Sequence, residues 1–269
     1  MKSIDLPDYV YKYVTWEKEY HKKILLENEI YFPSVRKFND PFDSTVPFRY
    51  DLGNDEQIFS LYVEHVRRDH PMLTENEVKR VARNELRIND IRNPERIQYN
   101  IKVQREFAAT KFGIFSVSTK IDNILLWSHY SDLHKGICIR FSCKKFREFI
   151  ETDCVKNDLI IHWDYVDYQN EYPTLNPFEF EKIESYTKSL LIKSKDWKYE
   201  NELRFILFDF PDKTLIVPDG IIDQVILGCR ITKENKKELI QIAKKKNIEL
   251  QQAVLKQNTF GLDFNKIKL

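Results

Sequence analysis

Six glycines in 269 residues leave little room for flexible linkers. No internal repeat and no low-complexity segment is present. The four cysteines, Cys138, Cys143, Cys154 and Cys229, form no CxxC pair, so neither a zinc site nor a thioredoxin-like motif is indicated. No apolar run approaches the length of a membrane span, and the opening MKSIDLPDYV has no apolar stretch of signal-peptide length. Free thiols in a reducing cytoplasm are the expectation. An excess of one charge is also missing. Lys and Arg number 43 against 42 Asp and Glu, a formal net charge of +1, so no global basic field advertises nucleic-acid binding. A local basic groove is compatible with that balance. No βα turn carries GxGxxG or a P-loop, which argues against a Rossmann site and a nucleotide triphosphatase.

What is present is aromatic and charged: fourteen Tyr, eighteen Phe and 32% charged residues mark a globular chain able to bury a sizeable core. Residues 9–15 read as a strand rich in β-forming residues and 16–28 as a short helix, with EIYFPS as a second strand. Residues 54–111 differ in kind. They are charged, helix-periodic and broken twice, by a capping box at Thr74 and Glu77 and by Pro94 after Asn93. They are expected to form three helices inserted between strands. Strands are then expected at 113–119, 136–142 and 159–168, with a helix capped by Asp122 that carries WSHYSD and ends at Gly136. A helix is expected from Asn176-Pro177 to about Ser194. NELRFILF, LIVPDG and DQVILG follow as strands, and Thr232 opens a lysine-rich helix. IELQQAVL closes the regular pattern. The class is α+β with a mixed, mostly antiparallel sheet, forming one domain over residues 1–269 with a helical insertion at about 54–111.

Four polar boxes stand out. In YKY, Lys12 faces opposite to Tyr11 and Tyr13, because side chains alternate across a strand. Taken alone it is an edge lysine pointing to water. FNDPFD, residues 38–43, is turn chemistry in which Asn39 and Asp40 bond nearby amides. A structural turn and a site-lining loop are about equally supported. In the third box, Ser116, Ser118 and Thr119 end a strand, where hydroxyls can meet a ligand. Trp127, Tyr130 and His134 lie three and four residues apart, close to one helical face. His129 and His134 are badly spaced for a shared metal. In the fourth, WKYENELRF, Glu200, Glu202 and Arg204 alternate among aromatics. If this run is a strand, they share one face. Two carboxylates that close repel unless a cation intervenes, and Arg204 is the candidate cation. The bland alternative is an exposed salt-bridge ladder, which contributes little. The aromatic surround favours a pocket wall.

Taken in order, YKY, FNDPFD, WSHYxDxHKG and WxYExExR resemble a bacterial family catalogued as domain of unknown function twenty-nine seventy-one. That family's fold is in turn similar to ADP-ribosyltransferases, including DarT-like enzymes that modify nucleic acid. The resemblance implies a transferase that uses NAD as substrate, in the role of a bacterial toxin or anti-phage defence effector, with a nucleic-acid or protein acceptor and a possible antitoxin. It implies Glu202 and Glu200 as catalytic residues. Lys12, Tyr13, Arg36, Asn39, Ser116, Ser118, Trp127, Tyr130, His134 and Arg204 are the candidate NAD-binding residues. The similar transferases use three stations: a basic or histidine residue on the first strand, a Ser-Thr-Ser-like strand and a Glu-x-Glu strand end. Here the first reads Lys-Tyr rather than Arg or His, and the second Ser-Val-Ser-Thr. Two other readings compete. A metal-dependent phosphoesterase or nuclease would draw hard ligands from Asp40, Asp43, Glu200, Glu202 and His129. A non-catalytic binding module would keep the fold without the reaction.

Overall fold

The computed structural model describes residues 5–154 and 159–269. Twelve strands run in chain order as β1 (Tyr9–Val14), β2 (Glu29–Phe32), β3 (Phe112–Ser118), β4 (Ile137–Ser142), β5 (Ile161–Tyr165), β6 (Asp167–Gln169), β7 (Ile192–Ser194), β8 (Glu202–Phe208), β9 (Lys213–Ile216), β10 (Ile222–Leu227), β11 (Glu249–Leu255) and β12 (Leu262–Lys266) among the described residues. The helices between them are α1 (Glu19–Leu26), α2 (Asp55–Asp69), α3 (Glu75–Ile88), α4 (Pro94–Lys111), α5 (Ile124–Tyr130), α6 (Cys143–Phe149), α7 (Lys182–Leu190) and α8 (Lys233–Lys246).

Eight strands form the main sheet in the order β12-β11-β10-β4-β1-β3-β8-β5. Only β10 and β11 pair in parallel within it. Strand alternation sorts the side chains. On one face Val10, Val14, Phe115, Val117, Leu203, Phe205 and Leu207 pack with Leu25 of α1, Phe146 of α6, and Leu239 and Ala243 of α8. On the other, Phe112, Ile114 and Ile206 pack against Ala108 of α4 and Leu190 of α7. That second apolar cluster ends where β3 turns to Ser116 and Ser118 and β8 to Arg204 and Glu202, so a polar cluster occupies the end of the same face.

Three helices, α2, α3 and α4, lie between β2 and β3 over the stretch read as helical. Thr74 and Glu77 make the reciprocal capping box, and Pro94 sits at the start of α4. Helices α2 and α3 bury a small core of their own around Ile58, Tyr62, Val66, Val78 and Ala82. Several expectations need correction. Asn123, not Asp122, caps α5, its side chain accepting from the Leu125 and Leu126 amides. That helix ends at Tyr130, because Asp132, Leu133 and His134 take positive φ values of 47°, 53° and 70°. Gly136 is instead a packing glycine, where an added Cβ would lie 2.3 Å from the Val14 carbonyl oxygen. The single strand expected over 159–168 breaks into β5 and β6, which belong to different sheets. The helix expected from Asn176 to Ser194 is a short turn at Pro177–Glu179, then α7, then β7. A further strand, β12, follows β11. Cys138, Cys143 and Cys229 are free thiols, and the Cys154 side chain lies outside the described part. No helix among the described residues is long and apolar enough to cross a membrane.

Gly113 marks the tightest crossing over β3. A Cβ there would meet the Phe210 carbonyl oxygen at 2.2 Å and the Phe32 Cβ at 2.9 Å. Backbone cannot rotate away as a side chain can. Gly113→Ala is therefore expected to cost about 1–3 kcal/mol, read as a lowered melting temperature. An unchanged transition would mean that the crossing segments separate freely.

Candidate functional site

The site begins with a defect in the sheet. β1 runs a full ladder with β4, and β3 with β8, but β1 and β3 share the single pair Tyr11–Ser118. Beyond it the two strands diverge. Lys12 fills the opening, its Nζ donating to the Ser116 carbonyl oxygen at 2.7 Å. The sheet's backbone pairing is thus replaced by a lysine at the point where it fails. The gap exposes both faces of β1, so Tyr11, Lys12 and Tyr13 all line one cavity of about 290 Å3, together with Asn39, Asp43, Ser116, Ser118, Tyr130, Lys193, Glu200 and Glu202. Lys12 is thus no edge lysine in water. Burial pushes its ammonium down to about 8, with Glu202 and Glu200 acting in the opposite direction.

The two glutamates reach the cavity from different backbones. Glu202 opens β8, opposite Ser118, with Arg204 opposite Ser116. Glu200 does not share that strand. It ends a 3-10 turn at Lys195–Glu200, and Asn201 follows in the left-handed region at φ 45°. That kink swings Glu200 toward the same cavity. Ser118 fixes the turn, its Oγ donating to the Glu200 carbonyl oxygen at 2.6 Å. Both glutamates are 5% exposed.

Carboxylates this deep need partners, and they have them. Lys193, on β7, places its Nζ 2.5 Å from Glu200 Oε2, 3.0 Å from Glu202 Oε2 and 3.4 Å from Asp43 Oδ2. Arg204 is fully buried. Its guanidinium donates to both carboxylate oxygens of Glu202 and both of Asp43, and also to the Ser44 hydroxyl and the Leu190 carbonyl. The Tyr130 hydroxyl donates to Glu200 Oε1 at 2.6 Å, and the Tyr168 hydroxyl accepts from the Glu202 amide at 2.9 Å. Burial works against the charge on Glu202, but Arg204 and Lys193 overcome it and hold this carboxyl well below the usual range. Burial also opposes the charge on Lys193, and Glu202, Asp43 and Glu200 outweigh it, raising its pKa. Burial and the neighbouring Glu200 raise the Tyr130 phenol, so it remains a donor.

Of the expected residues, Lys12, Tyr13, Asn39, Ser116, Ser118, Tyr130, Glu200 and Glu202 meet in this cavity. The other four do not serve as expected. Arg204 spends its donors on the internal network and has none left for a diphosphate. Trp127 is fully buried behind the wall, its indole N–H donating to the Ile121 carbonyl, so it offers no stacking face. His134 stacks on Trp127 at 6.3 Å and does not line the cavity. Arg36 pairs with Glu106 and faces a neighbouring cavity. Lys193 was missed altogether, hidden in a segment read as helix. For the metal reading, the carboxylates Asp43, Glu200 and Glu202 already share an ammonium, His129 lies outside the lining, and no cluster of three metal-ligating side chains occurs among the described residues.

Two outcomes follow from this electrostatic arrangement. Removing the Lys193 charge leaves Glu202 and Asp43 on one guanidinium and Glu200 with no cation in contact among the described residues, and the loss of one member of a buried ion cluster typically costs about 3–5 kcal/mol. Lys193→Met should lose that much in denaturant melts, and adding Glu200→Gln should restore part of it. Additive losses would show that the two groups act independently. Lys12 gives the opposite pH signature. Its folded value of about 8 lies below the unfolded value of about 10.4, so the unfolded chain binds the extra proton. This unfavourable contribution is complete below about 8 and is relieved as pH rises toward 10.4, on the order of 3 kcal/mol. Relative to Lys12→Met, the native protein should gain stability across that window. Parallel pH–stability curves would contradict it.

No curated protein and no solved structure matches the chain significantly. A family model does match, over the stretch that contains WSHYSDLHKG, Lys193 and WKYENELRF. Residues 126–205 match the model of the family described as Protein of unknown function (DUF2971).

Proposed function

We propose that this protein is an ADP-ribosyltransferase that takes NAD as its substrate and modifies a macromolecule, built on an ADP-ribosyltransferase-like sheet. The observation that carries this reading is the meeting of Lys12, Ser118 and Glu202, from three strands, in one cavity at the divergence of β1 and β3, with Glu200 beside them. The cavity of about 290 Å3 is at the small end for ligand pockets and suits one end of a dinucleotide, the nicotinamide ribosyl end. A role as a toxin or defence effector rests on the family resemblance alone.

The residues present suit the chemistry. Nicotinamide leaves NAD with the bonding electron pair, so no general acid is required, and positive charge builds on the ribose. A carboxylate held ionised in a water-poor site favours that charge. Glu202 is such a group, fixed by Arg204 and Lys193. Ser116 also bonds Glu202 and lowers its pKa. A carboxylate accepts about four hydrogen bonds, so a ribose hydroxyl would reach Glu202 by replacing the neutral Ser116 partner. Glu200 is less occupied, with Tyr130 on one oxygen and Lys193 on the other. It has capacity to accept from, and so orient, an incoming acceptor. Lys12 is the cation nearest the glutamates for a diphosphate, Lys37 lines the same cavity while paired with Asp212, and Tyr11 and Tyr13 offer aromatic walls.

Glu202→Gln should lower nicotinamide release and acceptor labelling together, by about a hundred- to a thousandfold. Glu200→Gln should reduce labelling more than release, because water substitutes for a poorly oriented acceptor. Both changes remove charge from a buried cluster, so each assay is run below the variant's own measured melting temperature. Undiminished nicotinamide release by Glu202→Gln would remove this residue from catalysis.

A further inference from the structure

A second cavity, of about 590 Å3, opens beside the first and shares Phe38, Asn39 and Asp43 with it. Its floor is the FNDPFD loop and its wall is α4 of the helical insertion. The charged lining residues are Arg36, Asp40, Asp43, Lys102, Arg105 and Glu106. Most are already committed. Arg36 pairs with Glu106, and Asp43 with Arg204 and Lys193. Asp40 is nearly buried and accepts from the Phe42 amide at 2.9 Å within its own loop. Lys102 and Arg105 are different. They are exposed, three residues apart on α4, and make no ion pair or side-chain hydrogen bond among the described residues. Residues at that spacing lie on one helix face, so two free cations look into the cavity together.

An aromatic residue lies in the loop that floors this cavity, between the lining residues Pro41 and Asp43. Phe42 is 66% exposed, yet its backbone is tied down: its amide bonds Asp40, and its carbonyl accepts from the Thr45 hydroxyl at 2.8 Å. An exposed ring on a fixed loop, with that loop and two unpaired cations lining one cavity, is a combination suited to single strands, in which the cations follow the phosphates and the ring takes a base. A single strand presents evenly spaced phosphates and unpaired bases to this pair.

We propose that this second cavity is the landing site of a single-stranded nucleic acid, with backbone phosphates on Lys102 and Arg105 and a base stacked on Phe42. The strand would lead past Asn39 toward Glu200. Its role as the acceptor rests on the transferase reading, but strand binding does not. Net charge near zero explains why composition gave no sign of it: the site uses two uncommitted cations in an otherwise balanced surface.

The test is fluorescence anisotropy of the full chain with a fluorescein-labelled single-stranded oligonucleotide of mixed sequence, as RNA and as DNA, over a salt series. Saturable binding to at least one form is expected. The slope of log affinity against log salt should shrink by about 1.4 in Lys102→Ala/Arg105→Ala, since each single-strand phosphate contact contributes about 0.7. Phe42→Ala should weaken binding about tenfold with the slope unchanged. Absence of saturable binding to either strand, an unchanged slope in the double variant, or an unchanged affinity in Phe42→Ala would each overturn the proposal. Anisotropy needs no NAD, so such a result leaves nicotinamide release to decide the transferase reading separately.

Discussion

The ammonium of Lys193 holds three carboxylates that would otherwise repel one another. Asp43 comes from the FNDPFD loop, Glu200 from a 3-10 turn and Glu202 from β8, and one buried Nζ lies within 3.4 Å of each. A lysine suits this position because its charge is compact and its three donors rotate freely. Arg204 does the complementary work with a planar fork, binding Glu202 on one side and Asp43 on the other. Between them the two cations fix the loop, the turn and the strand in one arrangement. Moving any of these segments would strand a buried charge, so the geometry around the glutamates is set by electrostatic necessity.

The cavity itself arises from incomplete pairing. If β1 and β3 zipped past Tyr11–Ser118, the sheet would be continuous and Glu202 would be sealed beneath the chain. Lys12 satisfies the Ser116 carbonyl that the absent ladder leaves open, and its charge faces the carboxylates across the gap. The cost is a half-buried lysine with a depressed pKa. Such a group is expensive as structure alone, and this expense is the physical reason for assigning the gap a function.

Much of the site was legible from residue type. Glu200, Glu202 and Arg204 among aromatics pointed to a buried, paired cluster, and Arg204 was rightly identified as a cation beside them. Its role in holding a diphosphate was not, because sequence gives no count of donors already spent. The hydroxyl stations Ser116 and Ser118 were placed correctly by the strand pattern. Lys193 was lost because LIKS follows α7 without a glycine or proline to mark the stop, and a three-residue strand is too short to show alternation. A charge balance was the available signal, since three acids near one arginine require another cation. Glu200 was misplaced on β8 because a left-handed Asn201 is invisible in a run of β-forming residues. Trp127 and His134 shared a helical face on paper, but the helix stops at Tyr130, before His134, and the fold turns the Trp127 ring inward.

The central claim is that the ribosyl end of NAD lies against Glu202 in the gap between β1 and β3. A crystal structure of the Glu202→Gln protein with intact NAD addresses it most directly. The nicotinamide ribose is expected beside residue 202 and the Ser116 hydroxyl, with the diphosphate toward Lys12. NAD bound elsewhere on the protein, or a cavity that excludes it at saturating concentration, would contradict the claim.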